Sequence, residues 1–297
     1  MVYHFIEDFT QFLTSQKITF VSDDFIISVN FNNTIIRLVP ASDFTGVTAV
    51  TKNSHSIKEN TPLITIYEDQ WITRRSVIEG RLLATFGKGG VVFARNCSVR
   101  RITTELARDF LNDNHILGYA RSRYKYGLFN MKRECGLEPG TLVCVATFSE
   151  PRIMDRGGVK VKSYEWVRYA ALGSLRVTGG MGKLMNCFIN ELDSKEPSPQ
   201  KYFQGESEPK ETFPKEIMSY ADIDWSSGNS YIKLGFSLLE RTKPLEFFVD
   251  FLTMKRYTCK QLYTLRQFSN PEELISTGKY YTLRNQGNLK FIRRFFQ

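Results

Sequence analysis

The chain has 297 residues, of which 42% are hydrophobic and 24% charged, a balance that is ordinary for globular proteins and a length that suits two compact domains. No apolar run approaches the about 20 residues that a membrane helix needs, and the first ten residues lack the basic start and apolar centre of a secretory signal. We therefore expect a cytoplasmic protein without a membrane partner. The five cysteines include no C-x-x-C pair and only three histidines accompany them, which argues against a metal site.

The net charge of +9 favours a polyanionic partner, because cations that neutralise phosphates release counterions and gain sequence-independent affinity. A basic protein without such a partner has the same composition. Charge alone therefore leaves nucleic-acid binding open.

The N-terminal third is predicted to be a helix followed by strands. Its predicted elements are a helix over Tyr3–Thr14, strands over Ile18–Val21, Phe25–Phe31, Thr34–Val39 and Leu63–Tyr67, and a helix over Arg74–Phe86. Asn32 and Asn33 form a predicted hairpin turn, since asparagine tolerates positive φ. The glycines between Gly87 and Gly90 mark a predicted domain boundary.

The pattern restarts at Val91. The predicted strands are Val91–Cys97, Gly127–Phe129, Leu142–Phe148, Tyr164–Leu172, Ile217–Asp222 and Glu246–Leu252, and Thr103–Asn114 is a predicted helix. Residues 193–214 are polar and are predicted to be a solvated insertion. The sequence thus predicts an α+β protein with mixed sheets flanked by helices and with domains at 1–90 and 91–297.

The stretch Ser174–Phe236 contains the features most typical of a binding site. An apolar run leads into Gly179, Gly180 and Gly182, and an amphipathic segment follows at once, which predicts a strand, a tight turn and a helix N-terminus. The bare backbone N–H groups of such a turn, together with the positive end of the helix dipole, form a site for a phosphate or pyrophosphate.

Asp222, Tyr231 and His115 are the candidate catalytic residues. Asp222 ends a predicted strand, where its carboxylate could deprotonate an attacking amine or instead cap the next turn. Tyr231 could protonate a leaving group or pack through its ring, and His115 could titrate near neutrality or be structural. Glu165 and Arg168 on one strand could face a substrate groove or form a structural ion pair.

Basic residues interleaved with aromatic residues favour a nucleic-acid surface, since cations contact phosphates and bases stack on rings. A docked C-terminal strand with a solvated basic side is the alternative. The candidate DNA-binding residues are Arg121, Arg123, Lys125, Lys290, Arg293 and Arg294.

The order of elements after Val91 resembles the GNAT acyltransferase superfamily, in which the fourth strand is followed by a (Gln/Arg)-x-x-Gly-x-(Gly/Ala) loop. Val177-Thr178-Gly179-Gly180-Met181-Gly182 has this spacing, with Val177 in place of Gln or Arg, and Asn229–Phe236 is similar to the superfamily's Tyr-Glu-Lys-x-Gly-Phe ending. The resemblance implies that acyl-CoA is the cofactor and that Tyr231 protonates its thiolate. The implied cofactor-binding residues are Thr178, Gly179, Gly180, Met181, Gly182 and Lys183.

Most of the chain also resembles phage proteins related to homing endonucleases, which join a Vsr-like nuclease half to a GNAT-like half, and the latter is similar to Mom-type DNA modification enzymes. The strings that carry this resemblance include Ile66–Trp71, Phe93–Cys97, Phe110–Tyr119 and Ser219-Tyr220-Ala221-Asp222. It implies a phage protein that transfers an acyl-derived group onto a DNA base or base substituent.

The nuclease half departs from this pattern, since Ser28 and Arg37 stand where the family has metal-binding acids. We therefore expect a disarmed nuclease fold in which Glu68, Asp69 and Trp71 maintain the structure. Two alternatives stay open: a homing-type endonuclease that cleaves DNA with Mg²⁺, and a non-enzymatic DNA-binding or inhibitory protein.

Overall fold

The computed structural model describes residues 2–31, 33–44, 62–194, 213–264 and 278–295. These residues pack into two compact units. Unit 1 comprises Met1–Ile78, Ala221–Asn229 and Glu240–Leu289, and unit 2 comprises Glu79–Tyr220, Ser230–Leu239 and Lys290–Gln297. The division therefore differs from the predicted domains at 1–90 and 91–297, because two late segments pack with the N-terminal residues.

Unit 1 begins with a helix and a four-stranded sheet. These elements are α1 (Val2–Ser15), β1 (Phe20–Asp23), β2 (Ile26–Val29), β3 (Thr34–Val39) and β4 (Leu63–Tyr67). The strand order is β1-β2-β3-β4, antiparallel except for the parallel pair β3 and β4. The predicted hairpin between β2 and β3 is present with Asn33 at φ +50°, while Asn32 lies outside the described residues.

The helix after β4 starts earlier than predicted. Helix α2 spans Glu68–Thr85, with a kink at Arg74, where φ is −135°. The sequence prediction placed the start of the helix at Arg74, which is the position of the kink. Its first turn carries Glu68 and Asp69, which suits the positive end of a helix dipole.

The late part of unit 1 forms a separate three-stranded sheet. Its elements are β14 (Glu246–Asp250), β15 (Arg256–Thr258), α6 (Cys259–Thr264) and β16 (Tyr280–Arg284), with strand order β15-β14-β16. The apolar core joins Val249, Met254 and Leu283 to Phe44 and Tyr67. Burial of these side chains explains why this segment packs with the N-terminal residues.

Unit 2 contains an eight-stranded mixed sheet, apart from the ends of β12, β13 and β17, which belong to unit 1. The chain enters this region through β5 (Val91–Phe93), a 3₁₀ turn (Ala94–Asn96), β6 (Cys97–Arg101), α3 (Thr104–Asn114), β7 (Tyr124–Asn130), β8 (Leu142–Phe148) and β9 (Arg152–Asp155). It continues through β10 (Lys160–Ala171), β11 (Arg176–Thr178), α4 (Gly180–Ser194), β12 (Lys215–Asp222), α5 (Asn229–Lys233), β13 (Ser237–Arg241) and β17 (Asn288–Phe295). The strand order is β13-β17-β12-β10-β8-β7-β6, with β9 paired to β10, while β5 and β11 form a separate parallel pair.

Helices α3 and α4 cover opposite faces of this sheet. Ala107 and Leu111 of α3 pack against Val145 of β8, whereas Phe188 of α4 stacks on Phe148 with ring centroids 4.0 Å apart. Val145 and Phe148 are an odd number of residues apart on one strand, so they point to opposite faces. The fold is thus the predicted α+β arrangement of mixed sheets flanked by helices.

The sequence located several elements closely. Strands β3, β4 and β8 have the predicted bounds, and Thr103 is the N-cap of α3, accepting the Leu106 N–H at 3.2 Å. The predicted strand Val91–Cys97 is instead two strands separated by a 3₁₀ turn. Of the predicted insertion at 193–214, residues 195–212 lie outside the described chain.

None of the described helices is both long enough and apolar enough to cross a membrane.

Candidate functional site

The predicted strand, turn and helix N-terminus are present at the glycine-rich segment. Gly179 follows β11 at φ +79°, a conformation that favours glycine, and α4 starts at Gly180. A Cβ on Gly180 would lie 3.0 Å from both Tyr169 Oη and Val177 Cγ1, so a side chain here would be tightly packed against these two atoms. Since Gly179 has no side chain with which to cap the helix, the first backbone N–H groups of α4 lack a side-chain acceptor at that position.

This helix N-terminus opens on a cavity of about 720 Å³ in unit 2. The residues that line it are Phe93, Ala94, Arg95, Val99, Thr178, Gly179, Gly182, Lys183, Asn186, Cys187 and Asn190. Those from α4 recur at helical spacing and form one wall. Among the described lining residues there is no Asp or Glu, while Arg95 and Lys183 are cationic, so the cavity suits an anion.

Lys183, a predicted cofactor ligand, has a structural task at this wall. Its Nζ donates to the carbonyl oxygens of Ala94 and Cys97, which fixes the 3₁₀ turn against α4. Its charge contributes to the potential of the cavity, but its ammonium protons point at backbone oxygens.

The structure explains why position 177 departs from the GNAT pattern. Val177 is 9% exposed and pairs with Val92 in the two-stranded sheet of β5 and β11. A Gln or Arg at this place would bring a polar group into an apolar environment. Any anion at this turn therefore depends on backbone N–H groups and on neighbouring cations.

Two parallel strands separate close to the glycine turn. β10 pairs with β12 only where Lys162–Glu165 lies opposite Lys215–Met218, although both strands continue. The pairing of β10 with β8 is irregular between Trp166 and Arg168, directly after the last paired residue. Beyond this irregularity the two strands continue without backbone pairing to each other, and we call this unpaired region the wedge.

Tyr231 lies at the start of this wedge. Its Oη is 2.9 Å from Ser219 Oγ, which is in turn 3.2 Å from the carbonyl oxygen of Trp166. The Tyr231 ring stacks on Phe291 with centroids 5.3 Å apart and an interplanar angle of 20°. Burial raises the pKa of the Tyr231 phenol, with the Ser219 hydrogen bond opposing this shift, so the phenol keeps its proton at neutral pH.

The other two catalytic candidates have local partners. Asp222 belongs to unit 1, where its Oδ1 accepts the Asp224 N–H at 3.1 Å, which is the turn-capping role left open by the sequence. His115 belongs to unit 2, ends α3, and accepts the Leu117 N–H on Nδ1 at 3.1 Å. A joint catalytic role for Asp222, Tyr231 and His115 stays a prediction.

Arg168, beyond the bulge, is fixed to the backbone. Its Nε donates to the Gly118 carbonyl at 3.1 Å and its Nη1 to the Val167 carbonyl at 2.8 Å. Burial lowers the pKa of Arg168, and the charge of Glu165 opposes the shift. The arrangement differs from the structural Glu165–Arg168 ion pair considered from the sequence.

The candidate DNA-binding residues form two groups. Arg121 and Arg123 precede β7 and are exposed, and the Arg123 side chain lies 3.8 Å from that of Glu150. Lys125 lies within β7, and its Nζ donates to the Ser122 carbonyl at 2.8 Å. Burial, followed by the neighbouring charges of Arg101 and Arg123, lowers the pKa of Lys125. This places several cations close together at one strand.

The second group lies on β17, four strand positions from β7, or about 19 Å at the usual spacing between strands. Arg293 contacts the buried Met185 through Nη1 and Sδ at 3.4 Å, whereas Arg294 is exposed and Lys290 is half-buried. Arg293 and Arg294 are adjacent on a strand and point to opposite faces. The C-terminal cations therefore do not share one surface.

The acidic residues at the start of α2 have hydrogen-bond partners within unit 1. Glu68 accepts the Ala41 N–H at 2.7 Å, and Asp69 accepts two hydrogen bonds from Arg256, each of 2.7 Å. Trp71 donates from Nε1 to Asp8 at 2.9 Å. Within the described ranges, no three His, Cys, Asp or Glu side chains are placed to hold a metal ion.

Arg37 on β3 donates to Thr65 Oγ1 at 3.0 Å. Nearby, the buried Asp224 accepts hydrogen bonds from Tyr67 at 3.2 Å and from Gln286 at 2.9 Å. Burial raises the pKa of the Asp224 carboxyl despite these hydrogen bonds. No sequence motif indicates this cluster, because its members are far apart along the chain.

Sequence reasoning also missed Ser219 and the cavity wall. Ser219 lies in the Ser-Tyr-Ala-Asp string, but its alternation with Tyr220 did not reveal that it faces Tyr231. On α4, Gly182, Asn186 and Asn190 recur every four residues, and this spacing could have identified the polar wall.

Comparisons with known proteins give weak likenesses. No family model matches the chain, and no curated protein matches it. Among solved structures, the chain is similar to Arabidopsis thaliana NAA60 in complex with acetyl-CoA, with 10% identity over 67% of this chain and 99% of that one and a TM-score of 0.35. It is also similar to a conserved Enterococcus faecalis protein described as a probable N-acyltransferase, with 14% identity and a TM-score of 0.29. This match covers 52% of this chain and 35% of that protein. Both TM-scores are below 0.5, so neither likeness bears on what this chain binds or transfers.

Proposed function

We propose that unit 2 is an acyl-CoA-dependent acyltransferase of the GNAT-like type, with DNA as its acceptor. The observation that carries the proposal is the wedge between β10 and β12, with the Tyr231 phenol at its start. The resemblance implies a fourth strand followed by the pyrophosphate loop, and here the short β11 lies between β10 and the glycine turn. β10 is the fourth strand of the main sheet path from β6.

The residues at the turn suit the cofactor. The first N–H groups of α4 and the helix dipole would bind the pyrophosphate, while Thr178 and Arg95 lie on the same cavity. When bound, acyl-CoA supplies an acyl group activated as a thioester. Lys183 would contribute mainly through its charge, since Ala94 and Cys97 accept its hydrogen bonds.

The chain's own residues would handle protons and orientation. Ser219 Oγ is within hydrogen-bond distance of both the Trp166 carbonyl and Tyr231 Oη; when Ser219 donates its one proton to Tyr231 Oη, the phenol is oriented and its own proton is left for the leaving group. A buried phenol with a raised pKa is suited to give a proton to a leaving thiolate.

DNA as the acceptor is supported by charge and by the resemblance to Mom-type enzymes. The net charge is +9, and Arg121, Arg123 and Lys125 lie together at β7. Phosphate contacts of this kind position a duplex without specifying its sequence. Arg294 on β17 would extend this contact.

Two measurements test the proposal. Calorimetry with CoA and acetyl-CoA should give saturable heat, and an absence of both heat and thermal shift would contradict the cofactor. Mass spectrometry of nucleosides from cells that express the protein should show a modified nucleoside that is absent with Tyr231→Phe. If the protein binds CoA saturably but the DNA of the expressing cells contains no modified nucleoside, DNA is not the acceptor. Acyl transfer to another acceptor would then remain as the proposed activity.

The alternatives predict other outcomes. A non-enzymatic DNA-binding protein would bind DNA in a salt-dependent way without ligand uptake. A homing-type endonuclease would nick plasmid DNA with Mg²⁺, but Glu68 and Asp69 are occupied by structural partners, which disfavours this function.

A further inference from the structure

We infer that the wall of the cavity formed by Phe93, Arg95, Asn186 and Asn190 binds an adenine nucleotide and selects adenine at the nucleotide end of the cofactor. This inference rests on the proposed function and assigns a role to residues that neither the glycine motif nor the resemblance includes.

The first argument is the shape of the cavity. Its volume of about 720 Å³ lies in the usual range for small-molecule sites. From Gly182 to Asn190 its wall follows α4 for about 12 Å, at 1.5 Å per residue. A diphosphate at the start of α4 would therefore leave room along the helix for a ribose and a base.

The second argument is an exposed aromatic ring. Phe93 is 40% exposed although it lines the cavity, and Cζ of Arg95 lies 4.9 Å from the centroid of its ring. Purine bases stack on such rings and on guanidinium planes, and Arg95 also provides a charge for phosphate. In the described chain Arg95 has no carboxylate partner, so its charge is not neutralised by an ion pair.

The third argument is the pair of amides. Asn186 and Asn190 are exposed, lie about one helical turn apart and both line the cavity. Neither side chain has a hydrogen-bond partner among the residues that the structure describes. An asparagine amide offers one acceptor and two donors, and so can pair with the adjacent donor and acceptor on an edge of adenine.

The absence of acidic side chains from the described lining completes the match. A nucleotide brings several negative charges, which a nearby carboxylate would repel. Thr178 and Gly179 lie at the end of the cavity where these charges would meet the helix N-terminus.

Calorimetry of ligand binding to the 297-residue chain tests this inference. The probes are CoA, adenosine 3′,5′-bisphosphate and 4′-phosphopantetheine, with ADP and IDP as a pair that differs only in the base. We expect CoA and the bisphosphate to bind, and ADP to bind about tenfold more tightly than IDP. Phe93→Ala and Asn186→Ala should weaken CoA and the bisphosphate at least tenfold without changing phosphopantetheine binding.

Matched controls separate this role from folding. Phe93→Trp keeps an aromatic face and should keep affinity. Arg100→Ala removes a similar cation–π pair, in which Cζ of Arg100 on β6 lies 5.0 Å from the ring centroid of Phe129 on β7, and it should not affect binding, in contrast to Arg95→Ala. Equal melting temperatures for all variants would exclude unfolding as the cause.

The thiols give a second readout. Cys187 lines the cavity and Cys135 is exposed elsewhere, so bound bisphosphate should slow alkylation of Cys187 several-fold without slowing that of Cys135. CoA binding unaffected by Phe93→Ala and Asn186→Ala would overturn the inference and leave the proposed function. Bisphosphate binding without CoA binding would support the nucleotide cavity and contradict the cofactor, and no binding of either would overturn both.

Discussion

The hydroxyl of Tyr231 lies 2.9 Å from Oγ of Ser219, at the place where β10 and β12 stop pairing. Ser219 comes from β12 and Tyr231 from α5, so this contact ties the short helix to the strand at the start of the wedge. The phenol is therefore held by a hydrogen bond and by ring stacking on Phe291. A phenol held in one orientation in this way is suited to protonate a leaving group at a fixed position.

Replacing Tyr231 by Phe should lower acyl transfer by a factor of about 10² to 10⁴, the usual contribution of a general acid. The fold should be retained, because the ring still stacks on Phe291. Release of the CoA thiol with DNA as acceptor measures the effect. Tyr220→Phe is the control, since Tyr220 is 38% exposed and its hydroxyl donates to Met218 Sδ at 3.7 Å; equal rates for both variants would contradict the assignment.

Replacing Gly179 by Ala should destabilise unit 2 by about 1–2 kcal/mol, because its φ of +79° is unfavourable for a residue with a Cβ. Gly182→Ala is the matched control within α4. Its Cβ would meet only the flexible Cδ2 of Leu234 at 3.3 Å, and alanine gains up to about 1 kcal/mol over glycine inside a helix. Urea unfolding of both variants measures the difference, and the opposite order of stabilities would refute the strained turn.

Replacing Asp69 by Asn should destabilise unit 1 by about 3–5 kcal/mol, because Arg256 would lose its buried partner. The two side chains are 0% and 14% exposed, and each of their two hydrogen bonds measures 2.7 Å. Glu246→Gln, which breaks the exposed pair with Arg284, should cost at most about 1 kcal/mol. Denaturant melts give both values; a fully stable Asp69→Asn protein would reopen a catalytic role for this carboxylate.

Asp224 and Asp250 should give opposite dependences of stability on pH. Burial raises the pKa of the Asp224 carboxyl in the folded protein. The stability that this carboxyl contributes is therefore fully present below the unfolded-state pKa of about 3.9 and is lost as pH rises through the raised folded-state pKa. Burial alone would also raise the pKa of Asp250, but hydrogen bonds from Thr253 and Leu252 lower it overall. Its contribution is thus present above about 3.9 and is lost as pH falls through the depressed folded value.

Unfolding free energies of wild type, Asp224→Asn and Asp250→Asn between about pH 7 and pH 3 test this pair. As pH falls, wild type should gain stability relative to Asp224→Asn and lose it relative to Asp250→Asn. Parallel curves for the two variants would show that these carboxyl groups do not differ in the folded state.

For DNA binding, Arg121→Ala should weaken affinity for duplexes of any sequence and reduce the salt slope by about 1, without loss of stability, since the side chain is exposed. Arg293→Ala should instead lower stability, because Arg293 packs on Met185. Fluorescence anisotropy across a salt series, with thermal melts, separates the two effects. An unchanged salt slope for Arg121→Ala would exclude it from the phosphate contact.

Much of the local structure could be predicted because local physics specifies it. Alternating apolar residues located β3, β4 and β8, the hydroxyl of Thr103 marked the start of α3, and the glycines near residue 180 predicted the turn before α4. The start of α2 was misplaced because the kink at Arg74 interrupts the helical period.

The sequence by itself determined the α+β class, the glycine turn with its helix N-terminus, and the absence of acids at positions 28 and 37, since each depends on residues close together in the chain. Only the tertiary structure decided that Val249 and Leu283 pack with Phe44, that Lys183 serves two backbone carbonyls, and that Ser219 faces Tyr231. These relationships arise from long-range burial and strand pairing. They join residues whose separation along the chain leaves no periodic signal.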